Sequence, residues 1–156
     1  DGVPGPAYDN VERIVFSPDS RRMALLVWEG VMTRVIVDSL PDPLHDEVRD
    51  ESILFSPDSR HLAYYVNDSV DHWSAVLDCV RGEVFDEVRQ LVFSPDSRHF
   101  AYAAGRDYRA RVVVDGRSGA EYDRLLGGPE FRDDGALEWL AVRNDSLFRM
   151  RLPPGQ

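Results

Sequence analysis

The chain of 156 residues contains no lysine: all 18 of its basic residues are arginine. Against them stand 28 carboxylates, for a formal net charge of -10, and a field of that sign repels polyphosphate rather than attracting it. Neither nucleic acid nor an anionic membrane is expected as a partner. Cysteine is nearly absent too. Cys79, standing alone, can close no intrachain disulfide and can build no thiolate zinc site. No apolar run approaches about 18 residues and no charged-then-apolar leader opens the chain, so no membrane-spanning or export segment is expected. No window sustains a 3.6-residue hydrophobic period between capping residues, which predicts next to no helix. There is no HExxH helix for a metal and no GxSxG turn for a nucleophile. No catalytic residue, cofactor or metal ligand is expected.

What is present is a repeat. Phe16-Ser17-Pro18-Asp19-Ser20-Arg21 returns as Phe55-Ser56-Pro57-Asp58-Ser59-Arg60 and as Phe93-Ser94-Pro95-Asp96-Ser97-Arg98, with a worn copy at Phe131-Arg132-Asp133-Asp134-Gly135. The phenylalanines stand 39, 38 and 38 residues apart. Downstream of each intact copy lies an alanine (Ala24, Ala63, Ala101) in an apolar run, then a third run closing on Asp38, Asp78 or Asp115. A turn-rich stretch follows and ends at His45-Asp46, Phe85-Asp86 or Tyr122-Asp123. The units span about residues 1–38, 39–78, 79–115 and 116–156.

Each unit reads as four short strands. The run ending in Phe is β-branched and suits a strand packed on both faces. Ser-Pro-Asp-Ser reverses the chain, because Pro18, Pro57 and Pro95 pre-set φ while the side chains of Asp19, Asp58 and Asp96 hydrogen-bond the local backbone. The small alanine lets neighbouring sheets approach. Hydrophobic content of 43% is enough for a core. Four-stranded units of this length in tandem predict an all-β propeller of antiparallel blades, four repeats per chain.

The Phe-Ser-Pro-Asp-Ser-Arg turn, followed by Ala63-Tyr64 and Ala101-Tyr102 on the next strand, resembles the WD40-like PD40 repeats of TolB and of prolyl-oligopeptidase-type propellers. The resemblance covers essentially the whole chain and departs from true WD40 repeats, since no Trp-Asp dipeptide ends the third strand and no Gly-His pair opens the unit. It implies a bacterial setting, periplasmic or cytoplasmic, and is nearly silent on activity.

The phase of the repeat carries a further expectation. Residues 1–9 match 115–123, a fourth strand, while Leu147–Leu152 reads as a third strand with no fourth behind it. A terminal strand completing another sheet removes exposed edges. Either residues 1–9 complete the same chain's fourth blade, or they complete a partner's and two chains form one eight-bladed ring. Blades meeting at about 45° suit small residues such as Ala24 better than blades meeting at about 90°, which favours the eight-bladed homodimer by strand exchange. A piece of a longer propeller is the third possibility.

Asp19, Asp58 and Asp96 read as turn-capping groups rather than a cation ring. His61 and His99 share one place in the repeat and read as exposed strand starts rather than ligands. Trp28 and Trp139 read as wedges between blades. Trp73, after the polar loop 67–72, is the aromatic expected to be exposed. The loops between second and third strands differ most between copies, so Asp71, His72, Trp73, Arg106 and Tyr108 are the candidate binding residues on the loop face. The leading expectation is a non-enzymatic binding or scaffolding propeller for a protein, peptide or small ligand. Alternatives are an enzyme or accessory propeller, such as a hydrolase, lyase or peptidase gate, and a self-assembling fragment, natural or engineered, with no ligand.

Overall fold

Runs of β-branched and aromatic residues, each cut off by an Asp-X or Ser-Pro-Asp-Ser turn, leave the chain little choice but short antiparallel strands. The computed structural model, which describes residues 7–70 and 72–154, forms four antiparallel sheets in chain order. The first holds β1 (Asn10–Phe16), β2 (Met23–Glu29), β3 (Met32–Val37) and β4 (Leu40–Pro41). In the second, the leading strand is broken into β5 (Glu47–Val48) and β6 (Leu54–Phe55), both paired with β7 (Leu62–Asn67), followed by β8 (Trp73–Leu77) and β9 (Val80–Phe85). The third contains β10 (Glu87–Phe93), β11 (Phe100–Arg106), β12 (Arg109–Val114) and β13 (Arg117–Ser118). The fourth contains β14 (Arg124–Phe131), β15 (Leu137–Arg143) and β16 (Ser146–Leu152), with no fourth strand among the described residues. Most of residues 1–9, expected to supply an outer strand, lie outside the described residues. The helical content among the described residues is one 3-10 turn at Asp50–Ser52, which bridges the break between β5 and β6.

The motif turns behave as their chemistry requires. Ser17 accepts the Ser20 amide at 2.8 Å, and the Asp19 carboxylate accepts both the Ser17 hydroxyl at 2.7 Å and the Arg21 amide at 3.1 Å. The same bonds recur at Ser56-Asp58-Arg60 and Ser94-Asp96-Arg98. These bonds hold the Asp19, Asp58 and Asp96 carboxyls below the usual carboxylate range, the serine hydroxyl being the largest cause. Ser20, Ser59 and Ser97 sit at φ of 59°, 66° and 61°, where glycine or asparagine is the easier choice. Serine is used because its hydroxyl reaches across sheets: Ser59 accepts the Asp19 amide and Ser97 the Asp58 amide, each at 3.0 Å. The fourth turn has Gly135 there, at φ 80°, and no hydroxyl to offer Asp96.

The third strands end in tight two-residue turns. Asp38, Asp78 and Asp115 take positive φ and accept the Met23, Leu62 and Phe100 amides across the sheet. Their second oxygens hold Arg22, His61 and His99 at 2.8, 2.6 and 2.8 Å. Both histidines are thus tied into a strand-closing pair.

Three hydrophobic clusters join the sheets in succession. Ala24, Leu26, Val35 and Val37 of the first sheet pack on Val48, Phe55, Leu62 and Tyr64 of the second. Ala63 and Ala75 of the second pack on Val88, Phe100 and Tyr102 of the third. Ala101 and Val112 of the third pack on Leu137, with Trp139 beside it, on the fourth. Ala24, Ala63 and Ala101 are fully buried, as close approach of the sheets demands. Among the described residues no cluster joins the fourth sheet back to the first.

Candidate functional site

The loop face carries a cavity of about 600 Å³ between the third and fourth sheets. Its walls come from the start of β10 (Glu87, Arg89), the β11–β12 turn (Asp107, Tyr108) and the entry to β14 (Asp123, Arg124). A second cavity of about 330 Å³ shares Arg89, Ala110 and Leu125 with it and continues between β10 and β14 past Gln90, Gly127 and Gly128. The two form one groove. Both strands flanking it are bulged, β10 between Arg89 and Val92 and β14 at Leu125–Gly127 and Gly127–Glu130, and Gln90 takes a positive φ of 55°. Bulges re-aim side chains, and here they open the space between neighbouring strands.

The tips around the groove are held by one recurring bond. Where an aromatic residue precedes the closing Asp, that Asp accepts a backbone amide from the next hairpin: Asp9 from Gly30, Asp86 from Asp107 and Asp123 from Asn144, each at 2.7 Å. Two of these hairpins are two-residue turns with φ > 0 at both positions. Asn144-Asp145, at 50° and 58°, carries residues that accept this conformation readily. Asp107-Tyr108, at 51° and 58°, does not: a tyrosine sits where glycine or asparagine is the unstrained choice. The Tyr108 side chain has no burial to offset that strain, being fully exposed.

Two ion pairs line the groove. Arg89 bonds Glu87 at 2.6 Å and Arg109 bonds Asp123. Arg106 is committed elsewhere, donating to Glu83 at 2.8 Å and to the Val84 carbonyl while its guanidinium stacks 4.8 Å over the Phe85 ring. Arg124 is exposed and has no hydrogen-bonding partner among the described residues.

Of the loop residues singled out from sequence, Arg106 and Tyr108 meet at this groove, and Asp71 lies outside the described residues. His72 is exposed on another hairpin, its ring bonded to the Val70 carbonyl at 2.6 Å. The exposure expected of Trp73 is corrected: it is the first residue of β8, half-buried, edge-on to Tyr65 at 5.6 Å and beneath the Arg49 guanidinium at 5.1 Å. The polar loop ends at His72 as its composition suggests, but the Trp73 ring turns onto the second core cluster instead of outward. Arg124 escaped the sequence reading, because β14 belongs to the worn repeat, where the motif no longer marks register.

A second constellation is buried between the first two sheets. His45 replaces the aromatic residue of the other repeats, and its main chain bridges Thr33 at 2.8 and 2.9 Å. Its ring nitrogens reach Asp68 at 2.8 Å and Asp42 at 3.3 Å, Tyr64 donates its hydroxyl to Asp42, and Arg81 holds Asp68 from outside. Asp42 and His45 side chains are 4% and 8% exposed. Convergent acids and a histidine are what an enzyme reading asks for, but none of these groups lines the groove. The arrangement is a polar lock between sheets.

Burial alone would lower the His45 pKa; the hydrogen bonds and charges of Asp42 and Asp68 outweigh it and hold the ring above its ordinary value of 6.5. Burial, then the bond to Asp42, pushes the Tyr64 phenol far above the usual tyrosine range. A histidine whose folded pKa is raised adds stability that is complete below its unfolded pKa and lost as pH climbs through the folded value. The melting midpoint is therefore expected to fall from about pH 6.5 upward, and His45→Phe, the residue of the next repeat, to flatten that slope. Melting curves between about pH 6 and pH 9 check this; an unchanged slope in the variant assigns the effect to another group.

No protein-family model and no curated protein matches the sequence. Solved structures with similar coordinates include a TolB candidate from Agrobacterium tumefaciens (17% identity, TM-score 0.46, 92% of this chain and 58% of that one). Hydrazine synthase from Kuenenia stuttgartiensis is similar at 14% identity and a TM-score of 0.44, over 90% of this chain and 62% of that one. A candidate 6-phosphogluconolactonase from Bacteroides uniformis follows at 11% identity and a TM-score of 0.38, over 90% and 54%. The chain thus spans 54% to 62% of the length of these proteins, and at such scores the likeness says nothing of what it binds or catalyses.

Proposed function

We propose that the chain is a PD40-type β-propeller array that works as a binding module, taking a peptide or protein segment in the groove between its third and fourth sheets. Support for the propeller comes from strand order: each sheet is a simple meander, and successive sheets stack face to face in chain order through small residues. Tyr108 carries the binding reading. A bulky side chain that is both strained in its backbone and wholly exposed contributes nothing to the fold around it, and backbone strain of this kind concentrates at functional sites. Beside it, Arg124 offers an unpaired guanidinium, which suits a carboxylate on the bound segment. The Arg89–Glu87 and Arg109–Asp123 pairs lining the groove suit a polar main chain better than a polyanion.

Tyr108→Gly separates this reading from a structural one. It removes the strain, so the melting midpoint is expected to stay level or rise by the equivalent of about 1 kcal/mol, while binding falls at least about tenfold. The probe is a set of peptides selected against the chain from a random display library, titrated against Tyr108→Gly and Arg124→Ala. Peptides that bind both variants as they bind the parent overturn the assignment.

A further inference from the structure

Among the described residues the first and fourth sheets each leave one face uncovered, and the two faces bear complementary features. On the first sheet, Phe16 holds the repeat position of Phe55, which packs into the junction with the preceding sheet. Phe55 is 5% exposed and Phe16 is 62% exposed. Ile14 and Val11, neighbours on β1, are exposed as well. Ser20 completes the pattern. Ser59 and Ser97 endure positive φ and spend their hydroxyls on an amide of the preceding sheet's turn, whereas Ser20 endures it at φ 59° with its hydroxyl exposed and no such amide among the described residues.

The fourth sheet's outer face departs from the repeat in a matching way. Pairing of Phe131 with Leu137 and of Glu130 with Glu138 places Glu138 where the other sheets have Ala24, Ala63 and Ala101. Glu138 is 4% exposed and is caged by Arg132 at 2.9 Å, Arg149 at 3.0 Å and Arg151. The arginines, Arg149 first, hold its carboxyl down at about 2. The cage leaves flat guanidinium faces at the rim of a cavity of about 360 Å³ whose floor includes Gly127, Gly128 and Leu140. Guanidinium over phenyl is already how this protein seals a junction: Arg22 lies 5.5 Å over Phe55. The turn of this sheet also carries the Asp134 amide, the counterpart of the Asp19 and Asp58 amides that serine hydroxyls accept.

We propose that these faces dock on one another between two copies of this chain, head to tail, so that Phe16 of one copy enters the arginine-rimmed cavity of the other and Ser20 accepts the Asp134 amide. The proposal rests on the propeller reading, in which successive sheets pack as blades. Two such junctions close a twofold ring, and the ring completes the stacking that a single chain leaves open.

Light scattering after size exclusion tests it on the full chain. The expected mass is about 35 kDa, twice the 17.7 kDa of one chain, falling to 17.7 kDa in both Phe16→Asp and Leu140→Asp. Val31→Asp, at an 86% exposed hairpin tip, is expected to leave the mass unchanged. Ile14→Asp replaces Phe16→Asp if circular dichroism shows that variant unfolded. A 17.7 kDa parent chain overturns the proposal, with a further segment or foreign protein then covering the first sheet. Dissociation by Phe16→Asp but not by Leu140→Asp also overturns it, in favour of two first sheets packing face to face. Tyr108→Gly leaves the mass unchanged in every case, so failure here and failure of the peptide groove are read apart.

Discussion

Phe85→Ala is expected to destabilise the fold by about 3–5 kcal/mol, lowering the melting midpoint by roughly 10 °C or more. Phe85 is 1% exposed and closes β9 against Trp73 of β8. Its ring stands edge-on to Tyr102 at 6.3 Å and is covered by Arg106 at 4.8 Å and Arg111 at 5.9 Å. Truncation therefore removes a junction between the second and third sheets, leaves a cavity under two guanidinium groups and frees Arg106 from its platform. Because Arg106 also lines the peptide groove, the variant is expected to weaken peptide binding below its melting temperature as well. A loss below about 1.5 kcal/mol in chemical denaturation would mean that the ring is replaced by repacking neighbours.

Asp42→Ala is expected to cost about 3 kcal/mol, although it deletes few apolar contacts. Asp42 accepts from both Tyr64, whose side chain is completely buried, and His45. Without it the Tyr64 hydroxyl is stranded in the first core cluster and the His45 ring keeps only Asp68. Tyr64→Phe, which removes the hydroxyl instead, is expected to cost less, and in the double variant the two losses should not add, because the second removes a group the first has already orphaned. Urea titrations of the two single variants and the double one check this; strictly additive losses would show that Tyr64 and Asp42 act apart.

Much of this architecture is legible in the one-dimensional pattern because the signals are local. A proline at one turn position, an aspartate whose side chain bonds the amide two residues on, a serine whose hydroxyl bonds that aspartate and the amide five residues on, and an Asp-X pair that accepts positive φ each act within about six residues. They place the turns, and alternation between the turns places the strands. The alanine of each repeat also told that sheets approach closely, since no other burial-competent residue at that place is so small. The worn fourth copy broke this logic: with Gly135 for serine and a turn one residue shorter, the register that puts Glu138 at the alanine position is visible only in strand pairing.

What the sequence determined by itself was thus the strand, turn and sheet order, whose causes lie within a few residues of one another. Tertiary structure decided the rest. His45 finds Asp42 and Asp68, 3 and 23 residues away, only because two sheets pack face to face. Trp73 turns inward for the same reason. The groove beside Tyr108 exists because bulged strands from different repeats stand next to each other. Burial, cavities and shared protons are properties of surfaces brought together, and no pattern confined to one repeat encodes which surface the next repeat will present.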